Sequence, residues 1–363
     1  MPGKRKVTLT LFLVIFGTLA LDSLLFRTGP YAHFLEPDSS TGLFEAILRR
    51  EQQAQLTPRD DLVVTLGNSR FAYSRKVIDH LPHKPAYEFR DAGVAGSNAR
   101  DWYYMLRDLD PSAQRYRAVV LGVDDYDDED RAYSPDNEIR DLHYVIARLR
   151  FADIGEFARS FTDPQLRWTV FRDSLFKGLV YQTDFHAFLS HPAKRIAYVR
   201  LADRDGASWR YDYVESDRTM VGLNIDWATL AVTWPPGADD GQRESVTSFL
   251  AHPPDPQTGR LAAYRRLWLG KIIDRYRGSR TRVIFVALPR GPIPRPNGLV
   301  GKKSSSIREM AAQPGVLLAN EHAFDALERP EYFRDGMHLN RQGIERFSAM
   351  LPDEVERLLV NPN

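Results

Sequence analysis

A serine, a histidine and a carboxylate suffice for covalent acyl chemistry, because an imidazole oriented by a carboxylate can take the proton of a hydroxyl and make it a nucleophile. Four short blocks of this chain carry such groups. Gly67-Asn68-Ser69 comes first, then Gly93-Val94-Ala95-Gly96-Ser97-Asn98, then Gly122-Val123-Asp124-Asp125, and near the C-terminus Asp335-Gly336-Met337-His338-Leu339. In the last block a single turn separates Asp335 from His338, so the carboxylate can hold one imidazole nitrogen while the other faces a hydroxyl. A serine at the head of a helix exposes its hydroxyl and aims its backbone N–H at any anion that forms beside it. Ser69 is expected in that position.

The elements that must position these blocks can be read from hydrophobic patterning. Leu62-Val63-Val64-Thr65-Leu66 is an apolar run ending in Gly67, as in a buried parallel strand. Similar runs at 87–90 and 118–121 are expected strands, separated by helical patterns at about 70–81 and 99–109. The alternation then stops, and residues 130–255 read as a largely helical, aromatic-rich insertion. It resumes with a helix at about 258–277, a strand at 282–288, a helix near 304–312, a strand at Val316–Leu318 and a last helix at about 341–359. The two halves together predict one α/β domain over 61–360, a three-layer sandwich with a five-stranded parallel sheet of flavodoxin-like type. In such sheets ligands collect outside the carboxyl ends of the strands, where the first three blocks fall.

These blocks, in this order, resemble the SGNH hydrolase superfamily, also called GDSL-type esterases, over roughly residues 61–125 and 280–360. The resemblance implies Ser69 as nucleophile, Asp335 and His338 as its triad partners, and Gly96 as a backbone oxyanion donor. The phrase from Phe333 to Gly343 resembles the last block of membrane-anchored SGNH-like O-acetyltransferases and esterases of bacterial cell-surface polysaccharides. It implies a polysaccharide or other acylated glycan as substrate and a multi-pass membrane protein as acyl donor, and no cofactor is called for. The chain departs from the family pattern twice. Asn68 stands where the first block usually has Asp, and Asp124 where the third usually has an Asn oxyanion donor. An ionised carboxylate cannot donate a hydrogen bond, so Asp124 must be protonated, turned away, or replaced by another donor such as Asn98. Losing one such donor costs about a hundredfold in rate or more, which leaves a catalytically weak or inactive glycan-binding subunit as the alternative function.

Composition narrows the field. With Lys+Arg 49 against Asp+Glu 48 in 363 residues, the net charge is +1, and no basic field exists to draw nucleic acid. The absence of cysteine excludes thiolate chemistry and disulfides. Lys4, Arg5 and Lys6 precede residues 7–26, whose single charge is Asp22 and whose length matches a bilayer-spanning helix. The basic flank places residues 1–26 as a cytoplasmic tip and anchor in the inner membrane, 27–60 as a stem with a helix near 42–55, and the α/β domain in the periplasm or outside the cell. A cleaved signal peptide ending near Thr18-Leu19-Ala20 is the rival reading.

Three further features carry weaker signals. The acidic run 124–130 lacks the ligand spacing of a calcium loop and reads as a solvated turn, and the nine histidines form no zinc motif. The Pro-, Gly- and Arg-rich residues 289–301 either border the site or form a plain surface loop. Trp168, Phe171, Phe176, Tyr181 and Phe185 read either as a substrate platform or as core.

Overall fold

The computed structural model describes residues 2–54, 60–128, 138–205, 216–251, 259–294 and 304–360, apart from the side chains of 2–8 and 204–205. The chain divides into two compact units, one formed by Met1–Gln53 and Asp136–Ser208, the other by Ala54–Pro135 and Trp209–Asn363. The expected insertion at 130–255 is therefore shared. Its part from Asp136 to Ser208 joins the N-terminal residues, and the remainder on either side belongs with the sheet.

The second unit is α/β. Its strands are β1 (Leu62–Leu66), β2 (Glu88–Asp91), β3 (Ala118–Val123), β4 (Asn224–Asp226), β5 (Ala231–Thr233), β6 (Arg282–Ala287) and β7 (Val316–Leu318). β4 and β5 form a small antiparallel hairpin; the other five make one parallel sheet in the order β2-β1-β3-β6-β7. Every residue of β1 and β3 is buried, so both faces of the sheet are covered, as their unbroken apolar sequences require. Val63, Ala118, Val120, Ile284, Val286 and Leu317 share a core with Ile344, Phe347, Leu351, Val355 and Leu358. Those last five recur every three or four residues along the helix Arg341–Val360 and form its apolar stripe. Elsewhere in this unit, helices Ala99–Leu109 and Arg260–Tyr276 pack through Tyr104 and Trp268, with ring centroids 5.9 Å apart. The strand order reverses between β1 and β3. By the geometry of doubly wound sheets, a crevice opens at the carboxyl ends of those two strands.

The first unit is helical. It contains Pro2–Phe26, Ser40–Gln53, Arg140–Val145, Phe151–Arg159, Pro164–Leu175, Gly178–Ser190 and Pro192–Asp205. Residues 27–53, expected as a stem, are part of this unit, and the helix expected at 42–55 runs from Ser40 to Gln53. Within the first helix, Leu9–Phe26 is long and apolar enough to cross a membrane by length and composition.

Candidate active site

β1 delivers its last residues into the crevice, where the chain makes a turn instead of the expected helix. The Phe71 N–H donates to the Asn68 carbonyl at 3.0 Å, and Asn68 Oδ1 accepts the Arg70 N–H at 2.9 Å. This local side-chain bond competes with helix initiation, so the first helix waits until Arg75–Asp79, capped by Ser74. Ser69 thus sits mid-turn. The turn is pinned by Phe71, whose ring lies against both Gly67 and Gly122. A Cβ at Gly122 would stand 2.5 Å from Phe71 Cγ, and one at Gly67 would overlap the same side chain. Phe71 packs on Phe347 beneath, with centroids 5.9 Å apart.

The last block is a tight hairpin. Phe333 bridges Leu339, the Arg334 N–H donates to the His338 carbonyl at 2.9 Å, and the loop between them carries Asp335 and His338. Asp335 Oδ1 accepts the backbone N–H groups of Met337 (2.9 Å) and His338 (2.8 Å), and Asp335 Oδ2 lies 2.9 Å from His338 Nδ1. Burial by itself would raise the Asp335 pKa, but the imidazole and the two backbone donors outweigh it and hold the carboxylate below its ordinary range. An ionised acceptor at Nδ1 puts the ring proton there and leaves Nε2 as acceptor. His338 Nε2 is 2.9 Å from Ser69 Oγ. Ser69, His338 and Asp335, far apart in the chain, therefore form one continuous hydrogen-bonded line.

The remaining expected residues lie around this line in differing roles. Gly96 has a φ of +74°, a left-handed conformation that favours glycine, and its N–H donates to no acceptor among the described residues. Its loop is laced to the first one: the Val94 N–H donates to the Gly67 carbonyl at 3.2 Å and Ser97 Oγ to the same oxygen at 3.3 Å. Asn98 is the N-cap of helix Ala99–Leu109. Its Oδ1 accepts the Arg100 N–H at 3.1 Å and the Tyr264 hydroxyl, which turns Nδ2 into the donor end of the amide. Asp124 is half exposed at 49%, and its carboxylate pairs with the Arg70 guanidinium at 3.0 Å and accepts from Asn68 Nδ2 at 3.3 Å. It therefore accepts from the two residues that flank Ser69. Arg70 in turn donates to the Pro289 carbonyl at 2.7 Å, so the start of the 289–301 segment borders the crevice, while 295–301 lie outside the described residues.

Several supports escaped the sequence. The helix Asp240–Ser245 runs into one π-helical turn, Val246–Leu250, and the 335–338 loop rests on that junction. Ser245 Oγ accepts the Gly336 N–H at 2.8 Å, Gln242 Nε2 donates to the Arg334 carbonyl at 2.7 Å, and a Cβ at Gly336 would be 2.7 Å from the Val246 nitrogen. No local signal at 242 or 245 announces a partner some ninety residues away in sequence. The acidic run, as far as Asp128, is a solvated turn only at its start, where Asp124 is half exposed. Asp128 is fully buried, accepts the Ser306 hydroxyl at 2.7 Å and pairs with Arg265 at 3.1 Å, and Asp127 pairs with Arg308. Residues 129 and 130 lie outside the described residues.

No protein-family model matches the sequence, and no curated protein matches it.

Proposed function

We propose that the chain is a membrane-anchored serine acyl-ester enzyme of SGNH type, acting outside the cytoplasm, with Ser69 as nucleophile. The observation that carries this reading is the unbroken line from Ser69 Oγ through both nitrogens of His338 to Asp335. His338 takes the Ser69 proton as Oγ adds to an ester carbonyl; the C–O bond to the leaving alcohol breaks, and His338 returns the proton to that alcohol. The resulting acyl-Ser69 is then attacked by a sugar hydroxyl or by water, which His338 deprotonates in the same way. The backbone N–H groups of Ser69 and Gly96 are the proposed oxyanion donors, because Asp124 is bound to Arg70 and Asn68 and has no proton to give while ionised.

The substrate is inferred from the anchor and the last block. An enzyme held at the outer face of the inner membrane meets envelope or secreted polysaccharide, and its resemblance to O-acetyltransferases and esterases of such polymers makes O-acetyl groups the proposed cargo, with a multi-pass membrane protein as donor when the reaction is transfer. The test uses the detergent-solubilised full chain with p-nitrophenyl acetate and a fluorophosphonate probe. Turnover and label should both vanish in Ser69→Ala. Label retained at another serine would refute the assignment, and a folded wild-type chain with neither turnover nor label would favour a non-catalytic glycan-binding subunit.

A further inference from the structure

The apolar N-terminal helix is exposed on every side from Leu9 to Phe16, Phe12 and Phe16 included. Its end behaves differently. Asp22 is buried, and its two carboxylate oxygens accept the N–H groups of Lys177 (3.1 Å) and Gly178 (2.6 Å), capping the helix Gly178–Ser190. Phe26 packs on Tyr31 and Tyr181, both with centroids 5.3 Å away. Arg27 donates to the carbonyls of Ser174 and of Leu175 (2.9 Å) and stands 3.9 Å over the Phe151 ring. Asp22 and Arg27 are about 7.5 Å apart along a helix axis, so the pieces bonded to them share the level of the last turn and a half of the span. On a bilayer of ~30 Å core and ~40–45 Å total thickness, that level is the headgroup boundary.

At this level the helical unit exposes large apolar side chains. Phe151 (54% exposed), under Arg27, and Leu179 (48%), beside Gly178, face outward there, and the helix whose last residues Arg27 holds carries Trp168 (63%), stacked at 6.0 Å on the less exposed Phe171 (38%). Arg167 and Arg172 flank that pair on the same helix; Arg167 Nε donates to the Phe161 carbonyl and Arg172 Nε pairs with Asp173 at 2.6 Å, which leaves the terminal nitrogens of each guanidinium on an exposed residue. Tyr181 and Phe185, by contrast, pack around Phe26 and Tyr31, so four of the five aromatic residues named from the sequence divide into an inner pair and an outer pair. Trp and Phe beside arginines, at the depth of the headgroups, is the composition of a protein face seated in a bilayer interface.

We infer that Trp168, Phe171, Phe151 and Leu179 are seated in the outer interface of the same bilayer that the N-terminal helix crosses, with Arg167 and Arg172 directed to anionic lipid headgroups. The inference rests on the anchor reading and extends it: the helical unit is a membrane-surface foot, held flat at the point where the chain leaves the lipid. Interfacial elements bury their apolar faces about 5–10 Å into the headgroup and acyl boundary, the depth inferred for Trp168.

The test uses the full chain reconstituted into phosphatidylcholine and phosphatidylglycerol vesicles, with acyl chains brominated near the headgroup as quenchers of tryptophan emission. The wild type should show a quenched component that Trp168→Phe lacks, and acrylamide in the water should spare that component. Trp168 is exposed, so the variant keeps its fold. Equal bromolipid quenching of the two proteins would overturn the foot, and so would a Trp168 component spared by both quenchers, which marks a protein cover such as a second copy. Flotation of the same vesicles separates the two levels of failure. A chain that does not float removes the anchor reading as well, whereas a floating chain with unquenched Trp168 removes only the foot.

Discussion

Asp335 and Asp22 are both buried carboxylates that accept two backbone N–H groups, yet one lies in the sheet-borne crevice and the other in the helical unit. The difference is in what the second oxygen does. In Asp335 a single oxygen, Oδ1, accepts both backbone bonds and also lies 3.1 Å from His338 Nδ1, while Oδ2 is left to the His338 ring at 2.9 Å. In Asp22 each oxygen is consumed by one backbone N–H, and the carboxylate is a helix cap. A buried acidic residue is thus no sign of chemistry by itself. What the proposed chemistry needs is an oxygen left over to orient a titratable partner.

Substitutions can break or sharpen this contrast. The largest effect is expected at Asp335. Asp335→Asn keeps the shape but offers Nδ1 a different partner and tautomer, and esterase turnover should fall by about 10⁴-fold, as measured with p-nitrophenyl acetate. The same variant has a pH signature. Because the fold lowers the Asp335 pKa, the stability this carboxylate contributes is fully present above the ordinary carboxylate range and is lost as pH falls through the lowered value. Urea midpoints taken on either side of pH 4 should therefore drop less in Asp335→Asn than in the wild type. An unchanged turnover would dissolve the distinction between the two carboxylates.

Asp124 should matter less. The pair with Arg70 is half open to water, so Asp124→Asn loosens the turn around Ser69 without emptying the oxyanion site, and turnover should fall by less than about tenfold. A rise on the same substitution would show that the carboxylate opposes the oxyanion and that the Arg70 pair does not hold during turnover. The smallest effect is on the cap. Asp22→Ala should cost about 1 kcal/mol of stability, read as a lower Tm in detergent, with turnover per folded molecule unchanged. A loss of turnover at constant Tm would mean that the helical unit takes part in the chemistry.

Much of the sheet was legible beforehand because its strands are buried on both faces and therefore read as continuous apolar runs. β1, β3, β6 and β7 fall within a residue or two of their expected places, as do the helices Ala99–Leu109, Arg260–Tyr276 and Arg341–Val360. The failures have local causes. At 70–74 the amphipathic pattern predicts helix, but the Asn68 side chain and the wedge of Phe71 impose a turn. The Asn340-Arg341-Gln342-Gly343 stretch, quoted for its resemblance, has a structural use: Asn340 Oδ1 accepts the Gly343 N–H at 2.9 Å, and Nδ2 donates to the Glu331 carbonyl at 2.8 Å and the Arg218 carbonyl at 2.9 Å.

Residue type and short-range spacing determined the strands, the apolar N-terminal helix and the Asp335–His338 turn, because each depends on neighbours within a few positions. Only the tertiary structure decided that Ser69 meets His338 across 269 residues, that Asp124 is spent on Arg70, that Ser245 and Gln242 brace the histidine loop, and that Asp22 caps a helix that starts 156 residues later. Those outcomes turn on which polar group is nearest once the chain is compact. A buried carboxylate takes whichever donors packing brings to it, and packing is a property of the whole fold.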